Sequence, residues 1–246
     1  MRAMSRTSWQ QWLWLFVAAS FLFYQFIELN IMAPLAMTVG HFFSLSTLGI
    51  GILSSSDLLG NVLMLIPAGM LLDRYPVKKL LLLNLALTTL FTFIFAASSN
   101  IFISALARFF IGASGAFCFT GAVRFAVNIF PKTKMALATG LIYMTGMLGG
   151  ISAQGMFSTL SPVISWRGIF AVVGALGILF FLLVWQLLPS TTNQTQHTSP
   201  LATIKKIVVQ FKKWQPAIFV GALNLPLFVV GALWGNLYLT HARHLS

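Results

Sequence analysis

The chain has 246 residues, of which 58% are hydrophobic and only 7% charged; its mean hydropathy is +0.90 and its formal net charge +12. A water-soluble domain of this length does not have that composition, which is that of a polytopic membrane protein. The basic excess does not point to nucleic acid, because lysines and arginines sit in short clusters between apolar runs rather than on one polar face.

Taken in chain order, the segment from Met1 to Gln11 is short, carries Arg2 and Arg6 and is expected to be cytoplasmic. The first apolar run is longer than a signal-peptide h-region and no A-x-A-like site follows it, so it is read as a span that stays. That first span is predicted over about 12–39, with Trp9, Trp12 and Trp14 as interfacial anchors. Further spans are predicted over about 48–72, 80–97, 101–129, 135–160 and 166–188, each near or above the roughly 20 residues that cross a bilayer. Basic clusters fall at Arg2/Arg6, Arg74/Lys78/Lys79, Lys132/Lys134 and Lys205/Lys206/Lys212/Lys213. The alternate loops, around His41, Ser98 and Ser161, hold almost none, Arg167 being the exception. By the positive-inside rule the amino terminus lies in the cytoplasm.

Residues 189–200 are polar and read as a linker. Ile204, Ile207, Val208 and Phe211 among four lysines predict an amphipathic helix on the inner membrane surface. A seventh span is predicted over about 216–240. The expected organisation is therefore all-α: a six-helix bundle over 1–188, a cytoplasmic linker over 189–214 and a seventh transmembrane helix over 215–246. The single Cys118 lies inside an apolar run and carries no disulfide or metal signal.

The chain has three acids, Glu28, Asp57 and Asp73, and the first two sit inside spans. An ionisable group at mid-bilayer costs about 2.5–3.5 kcal/mol, so it faces a cavity or a partner. At 1.5 Å per residue, Asp57 lies roughly 15 Å and Arg108 roughly 10 Å below the outer ends of their spans, with Glu28 at a comparable depth. The three are expected to meet in one layer, with Arg108 within ion-pair reach of Glu28 or Asp57. Two readings stay open: a relay that takes up a proton or binds substrate, or a structural ion pair that only neutralises buried charge. Glu28 and Asp57 are expected to face a cavity that a second half of the protein would cover. Tyr24, Gln25, Asn30, Tyr143 and Gln154 are polar groups within spans that line a solute path or bond a neighbouring helix. Arg124, near the basic end of the fourth span, either snorkels to the interface or pairs with Asp73. Gly112, Gly115, Gly146, Gly149 and Gly150 permit close helix packing, or smooth contacts along which helices slide. No catalytic constellation, metal-spaced cluster or phosphate loop is present in the sequence, so no enzyme activity, cofactor or metal is expected.

Gly69-Met-Leu-Leu-Asp73-Arg74-Tyr75-Pro76-Val77-Lys78-Lys79, a short basic loop between two apolar runs, resembles the loop between helices 2 and 3 of the major facilitator superfamily. Gly69, Asp73, Arg74 and Lys78 match that pattern; Pro76 stands where the family has glycine, and proline cannot take positive φ, so the turn must differ. Arg108-Phe-Phe-Ile-Gly112-Ala-Ser-Gly115-Ala116 is similar to the family's R-x-x-x-G-x-x-G-A string. Gly140, Gly146, Gly149 and Gly150 resemble its glycine-rich fifth helix, without the proline of the antiporter form. Trp166-Arg167-Gly168-Ile169-Phe170 with Gly174 resembles the start of helix six, and Trp234-Gly235 is similar to helix seven. More narrowly, Phe23-Tyr24-Gln25-Phe26-Ile27-Glu28-Leu29-Asn30 is similar to the first span of bacterial members akin to the lysosomal dipeptide-transporter branch.

The resemblance implies twelve spans in two six-helix halves with the substrate site between them. This chain then supplies the first half plus a seventh span, and a C-terminal half is expected as its partner. The implied function is proton-coupled secondary transport of a small organic solute (amino acid, short peptide or organic anion) by alternating access, in a multi-pass protein of the cell inner (plasma) membrane. Lipid, protons and the solute are the expected partners, and nucleic acid is not. The resemblance also implies that Gly69, Asp73, Arg74 and Lys78 form a conformational-switch loop, with Asp73 holding one state closed against the second half. The alternative is a non-transporting remnant or a membrane interaction module.

Overall fold

A computed structural model of the protein describes residues 8–160, 163–190, 215, 218–219 and 221–223. The chain divides into two compact units, Met1–Thr195 and Gln196–Ser246. In the second unit the described positions, 215, 218–219 and 221–223, are helical and exposed. The amphipathic segment over 201–214 and nearly all of the seventh span predicted over 216–240 lie outside the described residues.

The first unit is all-α. Its helices are α1 (Ser8–Asn30), α2 (Met32–Phe42), α3 (Thr47–Arg74), α4 (Val77–Ala97), α5 (Ile101–Ile129), α6 (Met135–Leu160) and α7 (Trp166–Leu187), with one 3₁₀ turn at Lys132–Lys134. Among the described residues six helices are long and apolar enough to cross a bilayer: α1, α3, α4, α5, α6 together with the turn before it, and α7.

The helix starts differ between the two ends of the bundle. At one end Ser46, Asn100 and Ser165 cap α3, α5 and α7, their side chains accepting from the amides of Gly49, Phe102 and Gly168. At the other end prolines open the next segments: Pro76 precedes α4 and Pro131 the turn before α6, neither with a side-chain cap. A proline there wastes no hydrogen bond, since the first amides of a helix have no intrahelical partner.

The predicted first span is not one helix. It breaks at Ile31 into α1 and α2. Pro34 has no N–H for the Asn30 carbonyl, and its ring crowds that carbonyl, so the helix cannot run through. The basic loop is also shorter than expected. Asp73 and Arg74 finish α3, Lys78 and Lys79 lie in the first turn of α4, and only Tyr75 and Pro76 link them. Pro76 sits at φ −57°, ψ 128°, so an extended link replaces a turn that would need glycine.

α1 lies at the centre, packed on α5, α6 and α7, while α3 docks on α5 and α4 on both α5 and α7. α4 and α7 run antiparallel and are tied at both ends. Lys78 Nζ donates to the Trp185 carbonyl at 2.8 Å. At the opposite end Arg167 donates to the carbonyls of Ala96 at 3.1 Å and Ser98 at 2.9 Å, and stacks over Phe42 and Trp166. Arg167, the exception to the charge alternation, is thus spent on closing the end of α4.

The α3–α5 contact is made by small residues. A methyl group on Gly60 would overlap the Phe109 carbonyl, and one on Gly112 the Asp57 carbonyl. Gly149 meets the backbone of Phe23 in the same way. Gly115, Gly146 and Gly150 instead receive the side chains of Gln25, Leu22 and Asn30. Gly69 and Gly140 have nothing within 4 Å of a Cβ, so close packing does not explain them.

Candidate functional site

The largest fully buried side chain of the core is Arg108, on α5. Leaving a guanidinium unpaired among apolar groups is costly, and the fold brings it two carboxylates from two other helices. Arg108 Nη2 lies 3.2 Å from Asp57 Oδ2 on α3, and Nη1 lies 3.6 Å from Glu28 Oε2 on α1. The close α3–α5 crossing at Gly112 carries Asp57 to the same level. The Phe95 ring flanks the guanidinium at 5.9 Å.

The break in α1 adds a third contact. The Ile31 amide still reaches the Ile27 carbonyl at 2.9 Å, but the next carbonyl, that of Glu28, accepts from Arg108 Nη1 at 3.0 Å. The end of a helix leaves its last carbonyls without intrahelical donors, and Arg108 takes one of them.

The cluster holds two carboxyl groups against one guanidinium. Glu28, Asp57 and Arg108 are 0%, 1% and 0% exposed, so they do not face an open cavity, contrary to expectation. Glycine contacts and the aromatic ring at Phe95 enclose them more tightly than depth along a helix reveals. Among the described residues Glu28 Oε2, Asp57 Oδ2 and Arg108 Nε and Nη2 make no hydrogen bond of good geometry. The guanidinium holds two carboxylates loosely rather than one tightly.

The other expected site residues divide around this cluster. The Tyr24 hydroxyl lies 3.3 Å from Thr92 Oγ1, and Thr92 Oγ1 lies 2.5 Å from Glu28 Oε1, which connects Tyr24 to the cluster through α4. Gln25 is buried against Gly115, its Oε1 without a hydrogen-bond partner among the described residues. Asn30 and Gln154 pair with each other, Gln154 Nε2 donating to Asn30 Oδ1 at 3.2 Å, on a face that Gln154 leaves exposed. Tyr143 is 40% exposed and lies edge-on to Phe26 and Phe119. Asp73 and Arg124 form a separate pair at 2.7 Å, with side chains 60% and 37% exposed. The partner of Asp73 is therefore on α5 of the same bundle. Among the described residues no group of three or more His, Cys, Asp or Glu is placed to hold a metal.

Sequence reasoning does not single out Thr92, Gly60 or the break at Ile31. Their signals are nonetheless there: Asn84, Thr88 and Thr92 repeat at four-residue spacing in an apolar run, and Pro34 stands inside the first span.

Six spanning helices wrapped around a buried ion cluster define a polytopic helical membrane protein. The sequence model described as Major Facilitator Superfamily matches residues 12–246, and the chain belongs to that superfamily. It is 25% identical over 160 residues to the uncharacterized transporter YybO of Bacillus subtilis (strain 168), covering 65% of this chain and 36% of the relative. It is 22% identical over 213 residues to a probable sugar efflux transporter of Helicobacter pylori (strain P12), covering 72% of this chain and 54% of the relative. Its fold is similar to the crystal structure of a bacterial homolog of the human lysosomal transporter Spinster, in an inward-facing and unoccupied conformation. That match has a TM-score of 0.73 at 20% identity and covers 98% of this chain and 58% of that one. The chain thus spans about a third to somewhat over half of the proteins it matches.

Proposed function

We propose that this chain forms one wall of a proton-coupled secondary transporter for a small organic solute, working by alternating access against a second six-helix half. The observation that carries the reading is the charge count of the buried cluster. Two carboxyl groups share one guanidinium, so a full negative charge is left over when both are ionised. In an apolar interior that excess is relieved by taking up a proton, and Arg108 then shifts its weight from one carboxylate to the other. Glu28 and Asp57 are the proton-linked pair, Arg108 the group that reports their charge. Asn30, Gln154 and Tyr143, on the more open side, are the solute-facing groups. Gly69, Asp73, Arg74 and Lys78, around the link between α3 and α4, are the conformational-switch residues.

Amino acids, short peptides and organic anions are the first solute classes. A second reading is a neutral polyhydroxylated solute such as a sugar. The Asn30–Gln154 amide pair supports it, because it offers uncharged donors and acceptors on an exposed face. The description of the Helicobacter pylori relatives as probable sugar efflux transporters agrees.

The basic ends at Arg74/Lys78/Lys79 and Lys132/Lys134 support a cytoplasmic amino terminus, in the cell inner membrane. Cysteines at Ser99 and Thr133 are expected to label from opposite sides, and labelling of both from outside would overturn that orientation.

The test of function is uptake of labelled amino acids, dipeptides and sugars into proteoliposomes under a proton gradient. The 246-residue chain alone is expected to give no saturable uptake. Reconstituted with a separately expressed second six-helix half of a relative, it is expected to give gradient-driven uptake that Glu28→Gln abolishes. Gradient-driven uptake by the chain alone would overturn the two-half reading. Uptake indifferent to both the gradient and Glu28→Gln would overturn the proton reading.

A further inference from the structure

α4 carries a buried polar stripe. Asn84, Thr88 and Thr92 follow one another at four-residue spacing, each bonded back to an earlier carbonyl. Asn84 donates to Leu80 at 2.8 Å, Thr88 to Asn84 at 2.9 Å and Thr92 to Thr88 at 2.8 Å. Thr92, fully buried, differs from the other two in having a second acceptor. Its Oγ1 also stands within hydrogen-bond reach of Glu28 Oε1, at 2.5 Å. A hydroxyl has one proton, which cannot be given fully to both the carboxylate and the Thr88 carbonyl. The Tyr24 hydroxyl, 3.3 Å from the same oxygen, is placed to donate to it.

We propose that Thr92 is a positioning residue for Glu28: its hydroxyl proton moves between the Glu28 carboxylate and the Thr88 carbonyl as Glu28 loses and takes up a proton. This rests on the reading of Glu28 as a proton site. With Glu28 ionised, Thr92 donates to Oε1, and Tyr24 donates to Thr92. When a proton from the aqueous phase forms an O–H bond at Glu28 Oε1, that new donor points at Thr92 Oγ1, and the Thr92 proton turns onto the Thr88 carbonyl. One proton enters, and no other covalent bond forms or breaks. Every donor in this line has an acceptor in both states, as buried polar groups require.

The exchange reaches the backbone. A threonine hydroxyl bonded to the carbonyl four residues earlier competes with the amide bond and bends the helix. Charge on α1 is thereby written as curvature in α4, three residues from the Phe95 ring that flanks Arg108. The ionisable groups facing Glu28 are Tyr24 on its own helix, Asp57 on α3 and Arg108 on α5. α4 brings lysines only in its first turn, and the ionisable groups of α6 and α7 are Tyr143 and Arg167, each engaged elsewhere.

The test is infrared difference spectroscopy of the full chain in lipid nanodiscs across a pH series. The Glu28 carboxylic C=O band is identified by its loss in Glu28→Gln. The expected result is a shift of that band to higher frequency in Thr92→Val, which removes the hydroxyl at nearly constant shape. Thr92→Ser restores the band position, and Thr92→Cys, whose sulfur is a weaker acceptor for the Glu28 O–H and which also serves if the valine variant does not fold, falls between. A Glu28 band that stays in place in Thr92→Val or Thr92→Cys overturns the switch alone. The absence of any titrating Glu28 band in the unaltered chain overturns both the switch and the proton reading.

Discussion

At the basic end of α5, Arg124 holds Asp73 at 2.7 Å with both side chains partly exposed. Farther along the same helix, Arg108 stands 3.2 and 3.6 Å from its two carboxylates, all three groups shut off from solvent. By distance the first pair is the tighter. By energy the order reverses, because what matters is the medium each charge would face if left alone. Water resolvates Arg124 when Asp73 is removed. Nothing resolvates Arg108.

The comparison breaks first at Arg108. Arg108→Met leaves two buried carboxyls with no cation and is expected to destabilise the bundle by about 3–5 kcal/mol, the usual cost of orphaning one partner of a buried pair. Thermal unfolding in detergent, with monodispersity on gel filtration, measures it. The triple variant Arg108→Met, Glu28→Gln, Asp57→Asn is expected to recover much of that loss. A triple variant as unstable as the single one would show that the side chain's packing, not its charge, carries the cost.

The next effect sharpens the buried side. Gly112→Ala drives a methyl group into the Asp57 carbonyl and should part α3 from α5, at about 1–3 kcal/mol. Gly140→Ala, whose added methyl meets nothing within 4 Å, should be neutral or stabilising by up to about 1 kcal/mol through helix propensity. The same melting measurement checks both, and equal losses at the two positions would refute the contact geometry.

Asp73→Asn, Arg124→Gln and their combination give the smallest effect. The coupling from that double-mutant cycle is expected to fall below about 1 kcal/mol and to shrink in high salt, as for other exposed pairs. A coupling as large as the Arg108 loss would mean that Asp73 and Arg124 are not in the wet environment their exposure indicates.

Charge and hydropathy alone make the bundle legible in the sequence. The positions of the second to sixth spans and the meeting of Glu28, Asp57 and Arg108 follow from the cost of placing charge in hydrocarbon, whereas the first span, expected as one helix, breaks at Ile31. The enclosure of that cluster does not follow, because burial depends on how near α3 approaches α5, which Gly60 and Gly112 decide jointly from two distant parts of the chain. Gly140 is illegible for the same reason: a glycine in a motif looks the same whether or not another helix lies against it. Thr92 hides because a threonine in an apolar helix satisfies itself on its own backbone, as Thr88 does, and only the approach of Glu28 gives it a second option.

The interruption of α1 at Ile31 bears on how long Arg108 keeps its station. Of the oxygens that reach the guanidinium among the described residues, the Glu28 carbonyl is the one with no protonation state. Were either carboxylate neutralised, this oxygen would still accept from Nη1. The break therefore does more than divide a helix: it leaves the Glu28 carbonyl as a mooring for a buried cation that no change of pH can cast off.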